Sequence, residues 1–277
     1  MMDLYLRDLI ERSLREDVGT GDITTECTVP ADRAVTGRFI AKEAGVLCGM
    51  DVARAVFAFL DPAIRLDAHK EDGDPVEKGE VIADISGNAR AILTGERLAL
   101  NLMQHLSGVA TRTREAVERI AGTGAVIADT RKTTPGLRVL EKYAVRCGGG
   151  SNHRFNLADG VLIKDNHIVS AGGITQAVAM AKSRVPHTLK IEVEVETFDQ
   201  LEEAIAAGAD IIMLDNMSVA DMKKAVEITA GRAVLEASGN MGERDLSAVA
   251  GTGVNIISIG ALTHSVKALD ISLKFSF

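Results

Sequence analysis

The chain has 277 residues and a mass of 29.4 kDa, with 46% apolar and 25% charged residues. That is the balance of a folded globular protein with a sizeable core, and it excludes a disordered or collagen-like chain. A formal charge of −8 and an aromatic content of 3%, with no Trp, speak against nucleic-acid partners, which call for a basic surplus or stacking platforms.

No run approaches the roughly 20 apolar residues that cross a bilayer. Asp3, Arg7, Asp8 and Glu11 interrupt the start before a secretory core can form. A cytoplasmic protein without membrane partners is expected. Cys27, Cys48 and Cys147 stand far apart and make no C-x-x-C pair, so neither a disulfide scaffold nor a zinc ribbon is expected. They read as small buried apolar residues in a reducing compartment.

Leu6, Leu9, Ile10 and Leu14 recur at helical spacing, which predicts an amphipathic helix over Asp3–Glu16. The run Asp17-Val18-Gly19-Thr20-Gly21-Asp22 ends it. Alternation of Val35, Gly37, Phe39 and Ala41 predicts a strand, and a helix follows over Met50–Leu60, stopped by Asp61-Pro62. A turn-rich run from Glu71 to Glu80 leads into a strand at Val81–Ile85. Residues 1 to about 93 thus read as a helix-and-sheet layer. A helix from Thr94, its N-cap, to about Leu106 is apolar nearly all round. Arg97, Asn101, Gln104 and His105 form its one polar stripe. That stripe is either a solvent face or a means for Arg97 to reach an anionic site or another subunit.

Beyond Ser107 the text alternates short apolar strands with helices. Strands are predicted at Val126–Ala128, Val161–Ile163, Leu189–Val195, Ile211–Leu214, Ala233–Leu235 and Ile256–Ile259. Helices are predicted at Leu137–Val145, Thr175–Ser183, Phe198–Ala206, Val219–Thr229 and Arg244–Ala250. Parallel βα units follow. About six strands, fewer than the eight of a complete barrel, predict an incomplete, open α/β barrel. A doubly wound sheet is the alternative, but no G-x-G-x-x-G opens any helix.

Each predicted strand runs into polar text, where the chemistry of parallel α/β folds gathers. The endings are Asp129-Thr130-Arg131-Lys132, Lys164-Asp165-Asn166-His167, the alternating Glu192, Glu194 and Glu196, Asp215-Asn216, Glu236-Ala237-Ser238-Gly239-Asn240, and Ser258-Ile259-Gly260-Ala261. The three glutamates share one strand face. On an edge they would be solubilisers; in a lumen they need a cation or a donor. With Asp215 they suit Mg²⁺ or sugar hydroxyls. Between Asp129 and His167, seven basic residues stand against four acidic ones, a surplus of three. Guanidinium forks match carboxylate and phosphate oxygens, so a small, strongly anionic ligand is expected. A solvated basic helix accounts for Lys142 and Arg138 but poorly for Arg131 and Lys132. Gly148-Gly149-Gly150 is either an amide nest or a flexible lid. Lys164 is either a Schiff-base lysine or a fixed cation. Ser238, Gly239 and Asn240, with Gly260 and Ala261, occupy the loops that bind phosphate in barrels, and His264 could add a donor. No zinc pattern, nucleophile elbow or Walker A motif is present.

As a set, these phrases resemble the quinolinate phosphoribosyltransferase family, also called nicotinate-nucleotide pyrophosphorylases. The resemblance rests on Thr130-Arg131-Lys132-Thr133-Thr134-Pro135-Gly136, Glu141-Lys142-Tyr143-Ala144-Val145, Gly148-Gly149-Gly150 with His153-Arg154, and Lys164-Asp165-Asn166-His167. Glu194, Leu214-Asp215-Asn216, Glu236-Ala237-Ser238-Gly239, Gly260-Ala261-Leu262-Thr263-His264-Ser265 and Gly19-Thr20-Gly21-Asp22-Ile23-Thr24 extend it over nearly the whole chain. Asn156 departs from the family's glycine. The resemblance implies phosphoribosyl transfer from phosphoribosyl pyrophosphate to quinolinate with decarboxylation, a pentosyltransferase reaction of NAD biosynthesis that requires Mg²⁺. It implies an N-terminal α/β sandwich domain (1–106, joined by the tail 266–277), a barrel domain (107–265), and a homodimer or hexamer. It further implies that Thr130, Arg131, Lys132, His153, Arg154 and Lys164, with Arg97 of a neighbouring subunit, bind quinolinate. Glu194 and Asp215 would hold ribose hydroxyls directly or through Mg²⁺ and, with Lys164, serve catalysis. Ser238, Gly239, Asn240, Ile259, Gly260, Ala261 and His264 would hold the 5′-phosphate.

Overall fold

Buried Leu9, Ile10 and Leu14 fix the inner face of the first helix, α1 (Met2–Val18), in a computed structural model that describes residues 2–275. The chain forms two units: residues up to Arg112, Cys147–Gly149 and those from Val266 onward make the first, Thr113–Arg146 and Gly150–Ser265 the second. In the first, α2 (Ile23–Thr28) begins where Asp22 caps it, its Oδ1 accepting the Thr25 amide at 3.0 Å. Next come β1 (Ala34–Ala41), β2 (Gly45–Val46), α3 (Met50–Leu60), β3 (Arg65–Ala68), β4 (Pro75–Val76), β5 (Val81–Asn88) and α4 (Ala89–Arg119). The chain's closing strand, Ile271–Phe275, returns to this unit. It pairs with β1 to give a four-stranded antiparallel sheet in the order closing strand, β1, β5, β3. Alternation buries Phe39, which meets Phe57 of α3 edge to face with centroids 6.1 Å apart.

Helix α4 starts earlier than its sequence predicts. Asn88 Oδ1 accepts the Ala91 amide at 3.2 Å, and Arg90 Nε donates to Val29 O at 2.8 Å, so the first turn is anchored before Thr94 is reached. Thr94 is therefore not an N-cap; its hydroxyl donates to Asp22 Oδ2 at 3.2 Å. The helix also runs past Leu106 to Arg119, and the two units divide within it. The cysteines follow expectation in part: Cys48 is buried and Cys147 half-buried. Cys27 is exposed, while Cys48 and Cys147, remote in sequence, bring their sulfurs within 4.8 Å of each other and of an Asp72 oxygen.

The second unit is built from β6 (Val126–Ala128), α5 (Arg138–Cys147), β7 (Val161–Ile163), α6 (Asp165–Ala171), α7 (Ile174–Arg184), β8 (Ile191–Val195), α8 (Phe198–Ala207), β9 (Ile211–Asp215), α9 (Val219–Thr229), β10 (Val234–Ser238), α10 (Leu246–Ala250), β11 (Ile256–Ser258) and α11 (Ala261–His264). Its six strands are all parallel in the order β6, β11, β10, β9, β8, β7. The predicted open barrel is thus present. The end strands β6 and β7 do not pair, so a seam separates them. Ser151 lies along the β6 side of it, donating to Ile127 O at 2.8 Å and accepting from the Asp129 amide at 3.2 Å. Helix α6, absent from the helices predicted above, closes on αL Gly172. Among the described residues no helix is long and apolar enough to cross a membrane.

One close approach in the first unit is set by glycine. A Cβ on Gly108 of α4 would fall well inside van der Waals distance of Lys267 O. Gly108→Ala is expected to destabilise the protein by about 1–3 kcal/mol through overpacking, read as a lowered Tm.

Candidate active site

Strand β6 leads directly into Asp129, which has no solvent exposure, and α5 places the equally buried Lys142 against it. Their ion pair is a short contact between Nζ and Oδ1. Asp129 also accepts from Asn152 Nδ2 (2.6 Å) and the His153 amide (2.9 Å), while Lys142 donates to His153 O at 2.8 Å. Burial raises the Asp129 pKa and lowers that of Lys142, and the pairing opposes both shifts. Lys142 is therefore not on a solvated basic face. Arg138 is also engaged, donating to Thr133 Oγ1 (2.9 Å) and Phe155 O (3.0 Å). Together these bonds fix the loops after β6 and before β7.

Those loops help to line a cavity of about 490 Å³ at the C-terminal ends of the strands. Thr130, Arg131, Lys132, His153, Arg154, Lys164, Glu194, Asp215, Ser238, Gly239 and Asn240 all border it, as the sequence reading grouped them. Arg131 and Arg154 stand close enough that each opposes the other's charge, and burial and Arg131 both pull the Arg154 pKa down. Among the described residues, no salt bridge joins either guanidinium to a carboxylate. Arg154 is instead aimed by its bond to Gly160 O at 3.0 Å. Lys164 forms a short ion pair with Glu194, and its amide donates to His167 Nδ1 at 3.0 Å, which accounts for the Lys-Asp-Asn-His phrase.

The three β8 glutamates have different fates. Glu192 is buried in the lumen, Glu194 borders the cavity, and Glu196 lies past the strand end, exposed. His153 Nε2 approaches Glu192 Oε2 at 3.1 Å and Glu236 Oε2 at 3.7 Å. Its Nδ1 accepts the Arg154 amide at 2.8 Å. Glu236, quoted in the sequence only as strand-end text and given no role there, is 1% exposed and borders the cavity. A carboxylate inside an apolar strand was the signal that could have singled it out.

The loops after β9 and β10 interlock. Asn216 and Asn240 are both left-handed, with φ of 53° and 52°, and the Asn216 amide donates to Ser238 O at 3.1 Å. Gly239 has φ 96°, and a Cβ there would lie 2.8 Å from the Asn216 nitrogen. Ile259 is buried, and its amide donates to Ala128 O at 2.9 Å. Gly260 sits against Lys132: a Cβ on it would meet the lysine Cδ at 2.9 Å. Ile259, Gly260, Ala261 and the exposed His264 do not line the cavity themselves. Gly150 packs on Val145 and Thr113, and its amide donates to Val145 O, closing the end of α5, while Gly149 beside it is exposed with φ 91°. Asn156 needs no glycine: its φ is not positive, and its Oδ1 accepts the Ala158 amide at 2.7 Å. Arg97 belongs to the first unit, exposed on α4.

An open parallel barrel whose strand ends gather paired guanidiniums, lysines and carboxylates around one cavity defines an α/β-barrel protein with a highly charged mouth. The chain matches the model for the quinolinate phosphoribosyl transferase C-terminal domain over residues 109–274 and that for its N-terminal domain over 22–107. It belongs to this family. It is 49% identical over 273 residues to a probable nicotinate-nucleotide pyrophosphorylase [carboxylating] of Bacillus subtilis, covering 99% of this chain and 94% of the relative. Identity to the Mycobacterium leprae nicotinate-nucleotide pyrophosphorylase [carboxylating] is 45%, covering 96% of each chain. The solved nicotinate-nucleotide pyrophosphorylase of Francisella tularensis superposes with a TM-score of 0.94 at 46% identity, covering 98% of this chain and 96% of that one.

Removing the Asp129 carboxylate would leave the Lys142 ammonium buried without its counter-charge. Asp129→Ala is expected to cost about 3–5 kcal/mol, measured as a fall in the urea unfolding midpoint.

Proposed function

We infer that the chain transfers phosphoribosyl from phosphoribosyl pyrophosphate to quinolinate and releases CO₂, giving nicotinate mononucleotide and pyrophosphate in NAD biosynthesis. The observation that carries this reading is the pair Arg131 and Arg154, adjacent and without a salt-bridging carboxylate, facing a cavity that also holds Lys132, Lys164, Glu194 and Asp215. Two crowded guanidiniums without a salt bridge of their own call for a dianion, and quinolinate brings two carboxylates.

Arg131, Lys132, Arg154 and Lys164 hold those carboxylates, with Thr130 and His153 completing that wall. Ser238, Gly239 and Asn240 take the 5′-phosphate, with the Gly260 and Ala261 amides and His264 nearby. Glu194 and Asp215 bind the ribose hydroxyls and face the positive charge that develops at the anomeric carbon. The same two residues fit Mg²⁺: they are hard oxygen donors on adjacent strands, each giving one oxygen to a protein donor (Lys164 and Asn216) and having a second oxygen besides. When bound, the ion neutralises charge on the leaving pyrophosphate. No covalent nucleophile is needed, because positioning and fixed charge lower the barrier. We place the enzyme in the cytoplasm as a homodimer or hexamer, with the exposed Arg97 completing a neighbouring subunit's cavity.

Purified protein mixed with quinolinate, phosphoribosyl pyrophosphate and Mg²⁺ is expected to yield nicotinate mononucleotide by mass spectrometry; absence of that mass would refute the assignment. Arg131→Ala and Lys164→Ala are expected to lower kcat/KM at least a hundredfold while circular dichroism stays unchanged. Full activity in both would contradict the roles given to them.

A further inference from the structure

Below the substrate cavity, at the N-terminal ends of the strands, the barrel encloses a second cavity of about 380 Å³. Val126, Val161, Ile211 and Ile256, the first residues of four strands, line it, and exposed Asp159 and Lys190 stand at its rim. His153, Arg154 and Glu236 border both cavities. Glu236 therefore sits in the wall between the substrate and a compartment whose rim is in solvent.

The hydrogen bonding around that wall is short of one proton. His153 Nδ1 accepts a backbone amide, so the ring hydrogen is on Nε2. That single hydrogen goes to Glu192 Oε2 at 3.1 Å rather than to Glu236 Oε2 at 3.7 Å. Glu192 and Glu236 each keep one buried oxygen, Oε1, without a partner. Two buried carboxylates flanking one imidazole do not both stay charged. The carboxylates pull the His153 pKa up against burial, but a second ring proton would be set against the Arg154 amide. The extra proton therefore goes to Glu236, whose pKa burial and Glu192 push up to about 7. The other groups facing Glu236 are Ser258 of β11 and the cations Lys164 and Arg154. The same tautomer leaves His153 no lone pair directed at the carboxylates, so the trio does not make a metal site.

We propose that Glu236 is a catalytic acid that gives its carboxyl proton to the pyridine carbon from which CO₂ departs. The proposal rests on the reaction inferred above and adds a residue to it. After ribosyl transfer the ring nitrogen is positively charged. The bond from C2 to its carboxylate breaks, CO₂ leaves, and the electron pair stays on C2 beside that nitrogen. The Glu236 O–H bond breaks, a C2–H bond forms, and Glu236 becomes a carboxylate. Water in the lower cavity reprotonates it, so each turnover takes up one solvent proton. Because the acid form acts, CO₂ release weakens as pH rises through about 7.

The test follows pyrophosphate and CO₂ separately in a single turnover of Glu236→Gln, an isostere without the acidic proton. Expected are pyrophosphate release within about threefold of wild type, CO₂ release slowed about a hundredfold or more, and transient build-up of the dicarboxylated nucleotide. The fall in CO₂ release above about pH 7 disappears in this variant and returns in Glu236→Asp. The retained pyrophosphate step shows that the fold and site survive. Unchanged CO₂ release overturns the proposal, and so does an equal loss of both steps, which marks a binding or structural role. A wild-type enzyme that releases no pyrophosphate with quinolinate defeats the reaction itself, and the proposal with it.

Discussion

A carboxylate and an ammonium with no solvent contact, Asp129 and Lys142, organise the active-site half of the barrel. An isolated charge of either sign would be intolerable there, so each enforces the presence of the other. The pair reaches further than its own attraction. Asp129 collects the Asn152 side chain and the His153 amide, and Lys142 collects the His153 carbonyl. Four residues from three chain segments are thereby held to one point. The segment so held crosses the unpaired seam between β6 and β7 and brings His153 and Arg154 to the cavity.

From this anchor the electrostatics of the mouth separate into three kinds. Lys164 and Glu194 neutralise each other at the rim. Arg131 and Arg154 make no such pair and keep positive charge at the cavity, only partly offset at Arg154 by Glu192 and Asp159. Glu192 and Glu236, deeper in, hold a surplus of negative charge that a proton relieves. In the reaction proposed above, a ligand that arrives dianionic and becomes cationic at its ring nitrogen would meet the first surplus on binding and the second afterwards.

Much of this was legible in the sequence, and for identifiable reasons. Strands β6 and β7 match their predicted bounds because they are unbroken apolar runs, and helices α3 and α9 because local signals such as Asp61-Pro62 and the Ser218 cap mark their ends. The cavity residues were legible because in parallel sheets the strand ends converge. What failed to show depended on partners distant in the chain. Lys142 looked solvated because its neighbours on α5 are polar; its counter-charge comes from just past a strand, 13 residues earlier. Thr94 looked like a cap because helical periodicity is clearest after it, while the anchors at Asn88 and Arg90 lie before it. Cys48 and Cys147 meet only through the tertiary fold.

The interlock of Gly239 with Asn216 has a consequence for how such a mouth can diversify. Two successive loops share one volume, so lengthening or reshaping either requires a matching change in the other. The segments around residues 131–137 and 154–160 are tied in the same way, through Arg138 to Thr133 and Phe155, so they too change together. Reshaping such a mouth therefore takes paired substitutions rather than single ones, a coupling set on one side by a single glycine.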